Sequence, residues 1–144
     1  MKKALVLMLV ALMLVACGPK PSEFWDSELH PLVIEFMNQD ELAAQTPRGD
    51  LSPVISQMVS TSTRIEVLSE SDAVPDCAVE GLALILRGTT GVIEGAEDFA
   101  TIDFDLTDAQ QGTHDSDASF VWQRAEGWVA TGTATIIEDC HLTP

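Results

Sequence analysis

The spacing of apolar residues changes near Thr61, and that change sets the fold class this chain is expected to adopt. Before it, Leu32, Val33, Phe36 and Met37 recur at the spacing of one helix face, after a start at Ser22-Glu23-Phe24-Trp25 where Ser22 can serve as a cap. Pro31 falls inside this run, so the helix either restarts or kinks there and continues to about Gln45. Gln45 to Asp50 has the composition of a loop. Ser52-Pro53 then marks the cap and first turn of a second helix reaching about Ser60, with Val54, Ile55, Met58 and Val59 as its apolar stripe. Beyond Thr61 the period falls to two: Ile65 and Val67, then Leu82, Leu84 and Leu86, then Ile102, Phe104 and Leu106 alternate with their neighbours and read as strands. Turn-rich pieces at Ser71–Asp76, Gly88–Gly91 and Gly95–Asp98 separate them.

The last two apolar segments, Ala118–Arg124 and Trp128–Ile137, are joined by Ala125-Glu126-Gly127, which suits a hairpin loop with Gly127 at its left-handed position. The expected architecture is therefore α+β: N-terminal helices packed on a curved antiparallel sheet of about 4–6 strands, ending in a C-terminal β-hairpin. In that hairpin Phe120 and Trp122 share a face with Trp128, Ala130 and Ala134. Such rings bury large areas, so the face is expected to be core against the helices; the functional alternative is the wall of a pocket for an apolar ligand. The order of helices followed by antiparallel strands resembles the cystatin-like and nuclear-transport-factor-2-like architectures. That resemblance implies a curved sheet around a helix with room for a pocket, on scaffolds that carry binding modules and enzymes alike.

The N-terminal segment stands apart from this domain. Met1-Lys2-Lys3, the unbroken apolar run Ala4 to Ala16 and a small residue at the break have the anatomy of a secretory leader. As a helix the run would reach about 20 Å at roughly 1.5 Å per residue, short of the roughly 30 Å hydrocarbon core, so it is not a spanning anchor. Leu14-Val15-Ala16-Cys17 resembles the lipobox of bacterial lipoproteins. The resemblance implies that residues 1–16 are a signal peptide that is removed, that Cys17 is diacylated, and that the new N-terminus is acylated too. Gly18 stands where the family's inner-membrane retention signal places Asp, which implies sorting to the outer membrane, facing the periplasm of a Gram-negative envelope. Residues 17–23 then form a lipidated N-terminus and short linker, and 24–144 a single globular α+β domain. Two or more acyl chains make release slow where one anchors only marginally.

Losing Lys2 and Lys3 leaves five basic residues against 23 acidic ones, a formal charge of −18. Lys20, Arg48, Arg64, Arg87 and Arg124 stand far apart in sequence, so no basic stripe exists for a phosphate backbone and nucleic acid is excluded as a partner. Anionic headgroups are repelled for the same reason. The membrane contact is expected through the acyl chains on Cys17, with an envelope protein as a further partner. The acidity otherwise serves solubility, or points to a cationic partner or divalent ions.

Cys77 and Cys140 remain in a compartment that the leader makes oxidising, and two cysteines allow one intramolecular pairing. Closing the loop between them would stabilise the fold by about 4 kcal/mol in the chain-entropy picture. A metal site from Cys77, Cys140 and His141 lacks the paired spacing that sets ligands on one turn.

No constellation for catalysis emerges. His30, His114 and His141 are scattered and belong to no nucleophile motif, and Asp103 and Asp105 on alternating positions read as a solvated face. Asp103, Asp105, Asp108, Asp115 and Asp117 supply hard oxygen ligands for calcium, but an EF-hand loop from Asp103 would need Gly and Glu where the chain has Asp108 and His114. Arg48-Gly49-Asp50 spells a tripeptide that resembles integrin-binding adhesins. No cofactor is expected, and the function expected is a lipid-anchored, non-enzymatic binding or assembly module of the cell envelope. The runner-up is an envelope enzyme or small-ligand binder using a pocket of the nuclear-transport-factor-2-like kind.

Overall fold

The computed structural model describes residues 20–101 and 108–143, and these are folded almost entirely as helix. Helix α1 (Pro21–Phe24) runs through a π-turn (Trp25–Leu29) into α2 (His30–Gln45). A 3-10 turn (Arg48–Asp50) leads to α3 (Ser52–Ser69), and another (Asp76–Ala78) to α4 (Val79–Ala100). The longest helix, α5 (Asp108–Asp139), returns antiparallel along α4. The expected α+β fold is overturned: among the described residues there is no strand and no sheet, and the segment expected as a C-terminal hairpin is the interior of α5.

The N-terminal helices follow local rules. Proline removes an N–H and crowds the carbonyl four residues earlier, and here the π-turn absorbs that conflict: the His30 amide donates to Trp25 O, five residues back. Pro31 thereby sits in the first turn of α2, which ends at Gln45. Ser52 is not a cap. Buried Leu51 holds the cap position, Pro53 follows in the first turn, and α3 runs on to Ser69, past the expected end. Of the strand reading at Ile65 and Val67, only Ile65 is buried, while Val67 is 64% exposed, as a helix turning about 200° over two residues requires.

The α4–α5 pair explains why the rest of the strand reading fails. Alternating Leu82, Leu84 and Leu86 suggested a period of two, and the glycines suggested turns. The period that governs packing is seven. On α4, Gly81, Gly88 and Gly95 alternate with Ile85, Val92 and Phe99; on α5, Ala118, Ala125 and Gly132 alternate with Trp122, Val129 and Ile136. Small residues meet at the seam: a Cβ added at Gly81 would lie 2.5 Å from the Gly132 carbonyl oxygen. One added at Gly88 would lie 2.7 Å from the Val129 amide nitrogen and 2.9 Å from the Ala125 carbonyl oxygen. Glycine costs a helix about 1 kcal/mol relative to alanine, and here close backbone approach offsets that penalty. No described glycine has a positive φ, so none serves as a turn residue.

Both ends of the pair are fastened. At one end Cys77 and Cys140 form the expected disulfide, with Cα atoms 5.2 Å apart, joining the entry of α4 to the exit of α5. There His141 adopts φ 53°, and the amides of His141 and Leu142 donate to Glu138 O and Ile137 O, the pattern of a left-handed helix stop. At the other end Arg48 pairs with Asp115 at 2.7 Å and lies 4.3 Å from the centroid of the Phe99 ring. Two apolar clusters fill the interior. One gathers Phe24, Trp25, Leu29 and Ile65 against Leu82, Ile85 and Ile136; the other gathers Phe36, Leu51 and Met58 against Val92, Ala96 and Trp122.

Candidate functional site

The chemistry of the domain concentrates where α2 meets α5. Along α2 the buried positions Leu32, Val33, Phe36 and Ala43 form one stripe, and Asp40 falls on it, only 4% exposed. A buried carboxylate needs partners. Trp122 Nε1 donates to Asp40 Oδ1 at 2.5 Å, and Glu126, one turn further along α5, hydrogen-bonds the same carboxyl. Burial raises the pKa of both acids. For Asp40 the hydrogen bonds from Trp122 and Glu126 oppose that rise, whereas for Glu126 the negative charge of Asp40 and the hydrogen bond to it add to the effect. Both carboxyls therefore ionise less readily than they would free in water.

Beside this pair lies a cavity of about 210 Å³ lined by Ala44, Phe99, Ser119, Trp122, Gln123 and Glu126. Phe99 meets Trp122 edge to face, with centroids 6.3 Å apart. Two larger grooves are open and carry no aromatic wall: one beside Ser52, Ile55 and Glu97, the other beside Glu28, Leu32 and Arg64.

No match emerges when the chain is compared with protein-family models, curated proteins and solved structures.

The expected aromatic face is dispersed. Trp122 is buried in the core and lines the cavity, but Phe120 is 65% exposed, because two residues along a helix point about 200° apart rather than to one side. Trp128 is half-buried and carries Arg87 at 4.0 Å and Arg124 at 5.4 Å from its ring centroid. Ala130 and Ala134 are exposed. His30 stacks on Trp25 with centroids 5.0 Å apart, and His141 ends α5, so neither approaches the carboxyl pair. Arg48-Gly49-Asp50 forms a 3-10 turn whose arginine is engaged with Asp115 and Phe99. Cys17, Asp103 and Asp105 and the side chains of Asp108 and His114 lie outside the described residues. Among the described residues no group of three or more His, Cys, Asp or Glu side chains could hold a metal ion.

Asp40 and Glu126 were not singled out by sequence. The signal was present at Asp40: an acid on the apolar stripe of a helix is either an error of register or a functional group.

The titration of the pair has a testable sign. Carboxyls whose pKa is raised by folding bind protons more tightly in the folded state. Their contribution to stability is therefore complete below about pH 4 and is lost as pH rises through the raised values. Thermal unfolding should give a higher Tm at about pH 5 than at about pH 7.5, and Glu126→Gln, which keeps a hydrogen-bond donor for Asp40, should flatten that slope. General repulsion among acidic groups is common to both proteins and cancels in the difference. Equal slopes in the two would remove the coupled pair from the account.

Proposed function

We propose that this chain is a lipid-anchored lipoprotein of the cell envelope whose helical domain is a non-enzymatic binding or assembly module. The observation that carries this reading is the leader, Lys2-Lys3, an apolar run and Leu14-Val15-Ala16-Cys17 in order. The Cys77–Cys140 bond supports it, since such a bond persists in an oxidising compartment. Among the described residues no helix is long and apolar enough to cross a membrane, so attachment rests on the acyl chains at Cys17. Gly18 directs the anchor to the outer membrane, and the acidic surface keeps the domain off anionic headgroups. The binding role draws on a helix pair fastened at both ends, with a small lined cavity at one of them.

Metabolic labelling with a fatty acid tests the anchor. The wild-type chain should incorporate label and lose its leader, whereas Cys17→Ser should incorporate none and retain residues 1–16. Label on the Cys17→Ser chain, or none on the wild type, contradicts the proposal.

A further inference from the structure

We propose that Arg87, Trp128 and Arg124, clustered on the α4–α5 pair, form a docking site for a partner protein segment that presents a carboxylate beside an apolar side chain. Arg48 pairs with Asp115 and Arg64 with Glu35, whereas Arg87 and Arg124, both exposed, make no ion pair or hydrogen bond among the described residues. In a chain with 23 acidic residues, two arginines left without a carboxylate stand out. The sequence arranges it: no Asp or Glu lies three or four positions from either arginine, the spacing at which helix neighbours pair.

Both arginines converge instead on one ring. Their guanidinium carbons lie 4.0 Å (Arg87) and 5.4 Å (Arg124) from the Trp128 centroid, so the two like charges are separated by at most those distances laid end to end. The ring is itself seated against α4 at Gly91, where an added Cβ would lie 3.7 Å from Trp128 Cζ3. Attraction to the ring orders each guanidinium without spending its N–H donors on a protein acceptor, and that free fork fits a carboxylate in a bidentate grip. An incoming carboxylate also relieves the repulsion between the two cations.

A second observation extends the site. Phe120 is 65% exposed and Val121 40%, and Phe120, Arg124 and Trp128 follow one another at four-residue spacing along the same helix. Phenylalanine, arginine and tryptophan are the residue types enriched at protein interfaces. Charge complementarity then selects the occupant. Membrane phosphates, or a second copy of this chain, would meet the domain's excess of acidic groups everywhere except here. A partner that is neutral or basic overall, with a carboxylate at this one spot, is attracted at both scales.

This inference rests on the binding role above and gives it a partner chemistry, yet it is measured separately from the anchor. The purified full-length protein in a neutral detergent, labelled with nitrogen-15, is titrated at constant ionic strength with the tripeptide acetyl-Leu-Glu-Leu-amide, with its Gln counterpart and with inorganic phosphate. The Trp128 indole N–H signal should shift saturably with the Glu peptide at Kd below about 10 mM, and the Gln peptide should bind at least about tenfold more weakly. Arg87→Lys with Arg124→Lys keeps both charges and loses the forks, while Phe120→Ser keeps the forks and loses the apolar neighbour. Each should weaken the Glu peptide at least about threefold, with the other amide signals unmoved because all three positions are exposed. The absence of a saturable shift, equal affinity for the Gln peptide, or tighter binding of phosphate would overturn the site. So would a dimer in sedimentation that Phe120→Ser dissociates, since the face would then belong to a second copy. None of these results touches fatty-acid labelling at Cys17, which reads the anchor alone.

Discussion

Gly88→Ala is expected to lower the free energy of unfolding by about 3 kcal/mol, although alanine is the better helix former by about 1 kcal/mol. The added methyl would meet backbone on the facing helix, 2.7 Å from the Val129 nitrogen and 2.9 Å from the Ala125 oxygen, as well as Val129 Cγ2 at 2.5 Å. A side chain can rotate away, but backbone cannot, so α4 and α5 must separate and give up packing along their length. Gly127→Ala is the internal control. Gly127 is exposed within α5 and nothing lies within 4 Å of its added Cβ, so the same substitution should stabilise the protein by about 1 kcal/mol. Urea unfolding of the two variants beside wild type reads both signs. If both stabilise, the helices are not in close contact at Gly88.

Removing the disulfide should cost about as much. The Cys77→Ser, Cys140→Ser double variant is expected to lose about 4 kcal/mol, through the entropy its unfolded chain regains. The bond spans a sequence separation of 63 and closes the end of the α4–α5 pair opposite the Arg48–Asp115 contact. Loss should therefore loosen the cluster around Leu82, Ile85 and Ile136 before the one around Met58 and Trp122. Adding reductant to the wild type should reproduce the shift, and the double variant should ignore it. A wild-type midpoint insensitive to reductant would show that the bond does not contribute.

These two effects sit where sequence reading succeeded and failed most clearly. The cysteine pairing was legible because setting Cys17 aside leaves one possible partner for Cys77. The helix to Gln45 was legible because its apolar spacing is clean and its proline falls near a turn boundary. The α4–α5 pair was hidden by its own packing. Glycine and alanine interrupt the large residues Ile85, Val92, Trp122 and Val129 along the seam, and Gly88 to Gly91 then looks like a turn. Read at a period of seven, Gly81, Gly88 and Gly95 on one helix and Ala118, Ala125 and Gly132 on the other form the missing pattern. The aromatic face failed for the same reason, since Phe120 and Trp122 share a side only on a strand. Asp40 needed the fold to become meaningful, because its partners on α5 are 82 residues away in the case of Trp122.

Nuclear Overhauser contacts at two places test the antiparallel packing of α4 against α5 most directly. Close packing predicts a cross-peak between the Gly88 α-protons and the Val129 methyls, with helical sequential contacts running unbroken through Ala125-Glu126-Gly127. A cross-strand contact between the α-protons of Arg124 and Trp128, with no Gly88–Val129 peak, would restore the β-hairpin and contradict the helical pair.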